Sequence, residues 1–146
     1  MEEKKMNYSN EIEGALVERN ITFIREQSNE RTCFMFPMHI NNMPLLYMEF
    51  VISENNEATF SCLSILSMKE LEESKYMEIL KMLNNLNCKY KFMKFYLDDS
   101  KSICAEYDCV IYGDGAIACE QVLTTMFRLK KIISHCIEDI MRTIWR

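Results

Sequence analysis

The stretch that decides the fold class is Leu45-Leu-Tyr-Met-Glu-Phe-Val-Ile-Ser53. Side chains of a strand alternate between its two faces, and here every second residue is apolar. The apolar face carries Leu46, Met48, Phe50 and Ile52. The polar run Glu54–Glu57 has turn composition, and the strand pattern resumes over Ala58–Leu66. This segment therefore predicts an antiparallel hairpin with one buried face.

The remaining elements follow from similar patterns, and they place hairpins before and after a helix. The predicted order is a helix at Asn10–Arg19, strands at Ile21–Ile24, Thr32–Phe36, Leu45–Ser53 and Ala58–Leu66, a helix from a Ser67-Met-Lys-Glu70 capping box to about Asn87, strands at Phe92–Leu97 and Ser102–Tyr112, and a helix from about Ile117 to Trp145. No βαβ crossover pattern is present. We therefore predict an α+β fold, an antiparallel β-sheet with flanking helices in the order α-β-β-β-β-α-β-β-α.

Composition excludes several classes of protein. The chain has 146 residues, of which 49% are hydrophobic and 27% charged, which is typical of one soluble domain over residues 1–146. Residues 1–8 are expected to be a flexible start, and they contain no apolar signal segment. The balance of 17 basic and 22 acidic side chains argues against a nucleic-acid partner. No apolar run is long enough to span a membrane, so we expect a cytoplasmic protein.

The seven cysteines do not form a metal or disulfide pattern. They are Cys33, Cys62, Cys88, Cys104, Cys109, Cys119 and Cys136. Zinc sites use pairs of ligands two to four residues apart, and no C-x-x-C pair occurs here. An odd number of cysteines without a secretion signal is typical of a reducing cytoplasm, where the thiol packs as a small apolar group. We predict seven free thiols, mostly in the core, and no bound metal.

Other polar residues are better explained by structure than by catalysis. Neighbouring helical residues point about 100° apart, so His135 and Cys136 do not form a nucleophile–base pair, and His39 stands in a loop. Asp98-Asp99 and Gly113-Asp-Gly115 have the composition of a hairpin turn and of a strand-to-helix junction. We therefore predict no enzymatic activity and no cofactor. Four methionines, Met35, Met38, Met43 and Met48, could belong either to the core or to a binding surface.

Three short motifs carry a resemblance to a known family. They are Leu83-Asn-Asn-Leu-Asn87, Lys94-Phe-Tyr-Leu-Asp98 and Glu120-Gln-Val-Leu123. Together they resemble the signature of the YbjN family of bacterial sensory transduction regulators, over about residues 67–145. Two positions depart from the family pattern: Met93 replaces a glycine, and Ala118 stands where a capping Ser or Thr is expected. The resemblance implies a fold similar to type III secretion chaperones, common homodimer formation and no enzyme activity.

The motif residues are expected to have structural roles. The set is Leu83, Asn84, Asn87, Lys94, Phe95, Tyr96, Leu97 and Asp98. Alternation directs Phe95 and Leu97 into the core and their neighbours to the other face. Asn84 and Asn87 are expected to cap the end of the helix and to bond the backbone that follows.

The favoured function is a non-enzymatic protein-binding module, chaperone-like or regulatory, that acts as a homodimer. The C-terminal helix has a second apolar row, which predicts a dimer interface at Leu123, Phe127, Ile137 and Ile144. An exposed strand edge is the other candidate for the dimer contact. The competing interpretation is that the first helix covers this row. The expected partners are a second copy and an unidentified client or regulatory protein. Two alternative functions stay open: an assembly protein whose dimerisation is its role, and a small-ligand-binding domain.

Overall fold

The elements follow one another in the order that the sequence predicts. The structure, a computed structural model, describes residues 8–40, 42–69 and 71–145. Within these residues the elements are α1 (Ser9–Glu18), β1 (Ile24–Gln27), β2 (Arg31–Met38), β3 (Leu46–Ser53), β4 (Glu57–Ser67), α2 (Glu73–Lys89), β5 (Lys94–Leu97), β6 (Ser102–Val110) and α3 (Gly115–Ile144). The predicted α+β class, antiparallel sheet and element order are confirmed.

The six strands form one sheet in the order β1-β2-β3-β4-β6-β5. The first three strands are antiparallel neighbours, and Phe34 of β2 pairs with Phe50 of β3. The second hairpin is also antiparallel, with Phe95 of β5 opposite Ala105 of β6. Because β6 lies between β4 and β5, the short strand β5 forms one edge of the sheet and β1 forms the other.

The chain divides into two compact units. Unit 1 contains residues 1–60 and 108–127. Its core is a row of phenylalanines, with ring centroids 6.1 Å apart between Phe34 and Phe50 and 4.6 Å apart between Phe50 and Phe60. All three rings are fully buried, as are Ile12 and Leu16 of α1. Burying a side chain of this size contributes roughly 1.5–3 kcal/mol, so this row is a main source of the unit's stability.

Unit 2 contains residues 61–107 and 128–146. One face of α2 contributes Ile79, Leu83 and Leu86 to the core of this unit, and all three side chains are buried. Met93 and Phe95 at the start of the second hairpin are also buried. The C-terminal part of α3 adds Ile133, Cys136 and Ile140, none of which is exposed.

The structure corrects the predicted start of α2. Ser67 ends β4, and the helix begins at Glu73 instead of directly after the predicted capping box. The intervening backbone is held elsewhere, since the Met68 N–H donates to the Lys101 carbonyl at 2.7 Å and the Tyr76 hydroxyl donates to the Met68 carbonyl at 3.0 Å. These bonds compete with helix formation at Met68. Glu70, the acidic member of the predicted box, lies outside the described residues.

Other boundaries differ from the prediction by one to three residues, and two of them have a clear structural reason. The first strand is Ile24–Gln27, three residues later than predicted, because its ladder with β2 begins at the Ile24–Met35 pair. The last helix begins at Gly115, where the Asp114 carboxylate accepts a bond from the Ile117 N–H at 2.9 Å. Asp114 therefore supplies the cap that was expected near Ala118, and Ala118 itself is buried.

Tyr8, the last residue of the expected flexible start, packs against the fold. Residues 1–7 lie outside the described residues, whereas Tyr8 is only 5% exposed. Its hydroxyl donates a hydrogen bond to the Gly113 carbonyl. Gly113 has φ +95°, a left-handed conformation that strains any other residue, so the glycine suits this junction.

Candidate functional site

The family motif holds α2 against the second hairpin through one amide side chain. The Asn87 amide nitrogen donates to the Phe95 carbonyl at 3.0 Å, and the Asn87 amide oxygen accepts from the Phe95 N–H at 2.7 Å. Asn87 thus bonds the following backbone, as expected, but the helix continues past it to Lys89 and is not capped there. Asn84 is exposed one turn earlier.

The other motif residues are distributed between the core and the turn of the second hairpin. Leu83 and Phe95 are buried, Lys94 is exposed, and Tyr96 and Leu97 are half-buried. The Asp98 carboxylate accepts a bond from the Ser102 N–H at 2.9 Å, which closes the turn. These side chains therefore contribute to the core and to the turn of the second hairpin.

The third motif holds the end of β6 in a similar way. The Gln121 amide nitrogen donates to the Val110 carbonyl at 3.0 Å, and the Gln121 amide oxygen accepts from the Tyr112 N–H at 3.4 Å. One amide on α3 therefore satisfies a donor and an acceptor of the backbone that leaves the sheet. Glu120 beside it is exposed and pairs with Arg19 at 3.4 Å.

The four residues predicted as an interface do not form an exposed row. Leu123, Ile137 and Ile144 are each no more than 6% exposed within the chain itself, whereas Phe127 is 53% exposed. Side chains that are already buried in the chain cannot contribute new area to an interface. The structure therefore assigns three of the four to the core and leaves Phe127 as a surface residue.

The expectation that the cysteines are mostly in the core is wrong, because only three of the seven are buried, namely Cys62, Cys104 and Cys136. Cys136 is fully buried while His135 is exposed, so the two side chains point apart. Burial raises the pKa of the Cys136 thiol to about 11, which disfavours the nucleophilic thiolate. All seven cysteines are free, and no group of three or more potential ligands among the described residues could hold a metal ion. The described part of the chain also contains no helix long and apolar enough to cross a membrane.

Unit 1 has a second surface, on the outer side of its strands, whose side chains are accessible to a partner. The inward face of β2 and β3 is buried throughout, whereas the alternate side chains are half-buried or exposed. Cross-strand partners lie on one face, so the pairs Glu26–Cys33, Met35–Glu49 and Cys33–Val51 share this outer side. We call this surface the open face. Its members are Ile24, Glu26, Arg31, Cys33, Met35, Pro37, Tyr47, Glu49, Val51, Ser53, Glu57, Thr59, Asp108 and Val110.

A groove of about 480 Å³ forms one end of the open face. Its lining residues are Arg31, Val51, Ser53, Glu57, Ala58, Thr59, Asp108, Cys109 and Val110. The Thr59 hydroxyl donates to the Asp108 carboxylate at 2.7 Å, which fixes the carboxylate at the groove wall. The Ser53 hydroxyl oxygen is buried and has no hydrogen-bond partner within the described residues. The groove therefore offers both charged and polar contacts beside apolar ones.

The open face is acidic. It carries four carboxylates, at Glu26, Glu49, Glu57 and Asp108, and one guanidinium, at Arg31. Within the described residues, no ion pair neutralises any of the four carboxylates. Two of these carboxylates also affect Cys33. Burial and the negative charges of Glu49 and Glu26 raise the pKa of the Cys33 thiol. Four carboxylates and a single guanidinium give this face a net negative charge, so a positively charged partner would be favoured here.

Exposed apolar side chains accompany these charges. Ile24 is 54% exposed, Tyr47 is 42% exposed and Val110 is 54% exposed. The sequence left open whether the methionines between residues 35 and 48 belong to the core or to a binding surface. Met38 and Met48 are in the core, whereas Met35 is half-buried on the open face. Sequence reasoning missed this surface. Glu49 within the apolar run Leu45–Ile52 was the available signal, because a carboxylate there must face away from the core.

Comparison with known proteins identifies the fold and the family. The crystal structure of YbjN from E. coli, described as a putative transcription regulator, matches with a TM-score of 0.56 and 12% identity over 89% of this chain and 91% of that one. This likeness concerns the fold alone. A search of the curated proteins found no match. The model of the YbjN family, described as "Putative bacterial sensory transduction regulator", matches residues 9–127. The chain belongs to the YbjN family.

Proposed function

We propose that this chain is a non-enzymatic regulatory module that binds a polypeptide partner in the cytoplasm, and that the open face is its binding surface. The observation that carries the proposal is the combination, on one sheet face, of unpaired carboxylates and exposed apolar side chains. Glu26, Glu49 and Glu57 supply charge, and Ile24 and Tyr47 supply apolar area. The regulatory description of the YbjN family supports the proposal.

The surface chemistry selects the class of partner. Lysine and arginine side chains bring a charge for the carboxylates and a long apolar stem for the surface around them. The partner we propose is therefore a cationic segment of a polypeptide with interspersed apolar residues. A chaperone-like role follows if the segment belongs to a client that is held on the sheet until it is released.

The polar surroundings of the groove favour a polypeptide over a small apolar ligand. Small-molecule sites are mostly apolar cavities that enclose their ligand. This groove lies on an open sheet face, and Arg31, Glu57 and Asp108 line it. Such a site can accept one side chain of a longer partner, such as a lysine directed at Asp108.

A defined probe tests this proposal. Fluorescence anisotropy would measure binding of a labelled peptide of alternating lysine and leucine to the full chain. We expect the double variant Glu49→Lys, Glu57→Lys to weaken binding by at least about tenfold, because two attractive charges become repulsive. The matched control is the double variant Glu72→Lys, Glu138→Lys, which makes the same charge change at two exposed positions of unit 2. Equal binding by parent and double variant would refute the assignment of the open face.

The cytoplasmic assignment has its own test. Free cysteines throughout the chain are compatible with a reducing compartment. Thiol counting on denatured, freshly purified protein should find all seven free. A reproducible count lower by two or more would show disulfide bonds and contradict the cytoplasmic assignment.

A further inference from the structure

We propose that a second copy of this chain occupies the open face, which it contacts through a basic and aromatic patch on unit 2. The inference rests on the proposed function, because it names a partner for the same surface. Self-association would then hold the open face in a covered state, and a client would compete with it.

Charge is segregated between the two units. Unit 1 contains thirteen acidic and five basic side chains, whereas unit 2 contains nine acidic and twelve basic ones. The net charge of −5 conceals this separation. Surfaces of opposite charge on one molecule attract each other between copies, and they repel when like meets like. Charge therefore favours contact of unit 1 with unit 2 of a second copy.

The basic patch lies where the end of α2 and the connection to β5 meet α3. The segment Lys89-Tyr-Lys-Phe92 alternates cations with rings, and Phe92 is 49% exposed. The Arg128 guanidinium lies 5.1 Å from the centroid of the Phe92 ring, and the Lys89 ammonium lies 5.4 Å from that of Tyr90. Lys131 follows Arg128 by one helical turn and is exposed. Exposed cations held over aromatic rings offer both charge and apolar area.

This patch has the complementary chemistry to the open face. The open face offers carboxylates beside Tyr47 and Val51, and the patch offers cations beside Phe92. A symmetric contact of the open face with itself would bring its four carboxylates against four others, which is unfavourable. The contact between copies thus pairs two different surfaces, the open face of one copy and the basic patch of the other. It also replaces the dimer interface that the sequence predicted on α3, where three of the four residues are buried.

Charge reversal of either surface tests the proposal by sedimentation velocity. The acid-reversed variant carries Glu26→Lys, Glu49→Lys and Glu57→Lys. The base-reversed variant carries Lys89→Glu, Lys91→Glu and Arg128→Glu. We expect the parent chain to associate, with an affinity at least about tenfold weaker in about 0.5 M than in about 0.05 M NaCl. Each variant alone should sediment as a monomer, and an equimolar mixture of the two should associate again.

Recovery in the mixture is the decisive outcome, because it requires both variants to be folded and the two surfaces to meet. The control Lys81→Glu changes an exposed cation of α2 outside the patch and should leave association unchanged. A parent chain that is monomeric at low salt, or a mixture that stays monomeric, overturns the inference. The probe peptide separates the two proposals: if it binds the open face of a monomeric parent, only self-association fails, and if the mixture associates without peptide binding, only client binding fails.

Discussion

At the scale of single residues, two side-chain amides show what two of the family motifs do in the fold. Asn87 bonds both backbone groups of Phe95, and Gln121 bonds the Val110 carbonyl and the Tyr112 N–H. In each case a helix side chain satisfies the polar groups of a neighbouring chain segment. The Asn87 bonds are partly buried and the Gln121 bonds are exposed, so each bond contributes roughly the 0.5–1.5 kcal/mol of an ordinary hydrogen bond.

The Asn87 bonds lead to a first prediction. Asn87→Ala leaves both backbone groups of Phe95 without their partner, so we expect a loss of about 1–3 kcal/mol in the free energy of unfolding, measured in urea. Asn84→Ala is the matched control, because Asn84 is exposed on the same helix, as Asn87 is, but it does not hold the Phe95 backbone, so stability should change by no more than about 0.5 kcal/mol. Equal effects of the two substitutions would contradict the structural role of Asn87.

Phe95 leads to a second prediction. Its side chain is 2% exposed, and truncation of a buried phenylalanine typically costs about 3–5 kcal/mol. We expect Phe95→Ala to lower the melting temperature sharply in a thermal scan. A variant that melts like the parent but no longer binds a partner would instead place Phe95 in a binding surface.

Cys62 gives a prediction for alkaline pH. Burial raises the pKa of its thiol to about 12, whereas an unfolded cysteine titrates near about pH 8.5. The folded state therefore keeps a proton that the unfolded state releases. The stability due to the neutral thiol is complete below about pH 8.5 and falls by about 1.4 kcal/mol per pH unit above it, until the folded thiol titrates.

Urea unfolding from neutral pH to about pH 10.5 would measure this effect. The free energy of unfolding should fall less steeply with rising pH in the Cys62→Ala variant than in the parent. The difference between the two slopes should correspond to the release of about one proton on unfolding. The control is Cys88→Ala, which removes an exposed thiol. Identical slopes for the parent and Cys62→Ala would show that Cys62 does not titrate as described.

At the scale of elements, α3 carries apolar residues of both kinds, some in the core and others on the surface. Ile137 is 5% exposed and Phe127 is 53% exposed, although both belong to the same predicted apolar row. We expect Ile137→Glu to prevent stable folding, because it buries a carboxylate without a partner. Phe127→Glu should fold and change the free energy of unfolding by less than about 1 kcal/mol. Circular dichroism during urea unfolding would measure both, and a folded, stable Ile137→Glu variant would contradict the burial of this row.

The elements also show which features the sequence could predict. The alternation of Leu46, Met48, Phe50 and Ile52 identified β3 because burial alone determines that pattern. The start of α2 was mispredicted because Met68 is bonded to Lys101, more than thirty residues away in the sequence. The second row of α3 was mispredicted because periodicity counts apolar residues but does not reveal what covers them. The open face was missed because its carboxylates belong to β1, β3, β4 and β6 and come to one face only when these strands join one sheet.

At the scale of the whole molecule, the overall composition does not reveal the separation of charge that we consider functional. The chain as a whole has a small negative net charge, but unit 1 is strongly acidic and unit 2 is basic. The acidic unit presents the open face, and the basic unit presents the patch around Phe92. Both the client and the second copy that we propose are selected by the same carboxylates, so they should compete.

The most direct test of the open face as the binding surface is a titration of the isotopically labelled chain with the lysine–leucine peptide, followed by amide chemical shifts. The account predicts that the largest shift changes cluster on β2, β3 and the first part of β4, including Cys33, Glu49 and Thr59, and that they disappear in the Glu49→Lys, Glu57→Lys variant. Shift changes confined to α2 and α3, or no changes at saturating peptide, would contradict it.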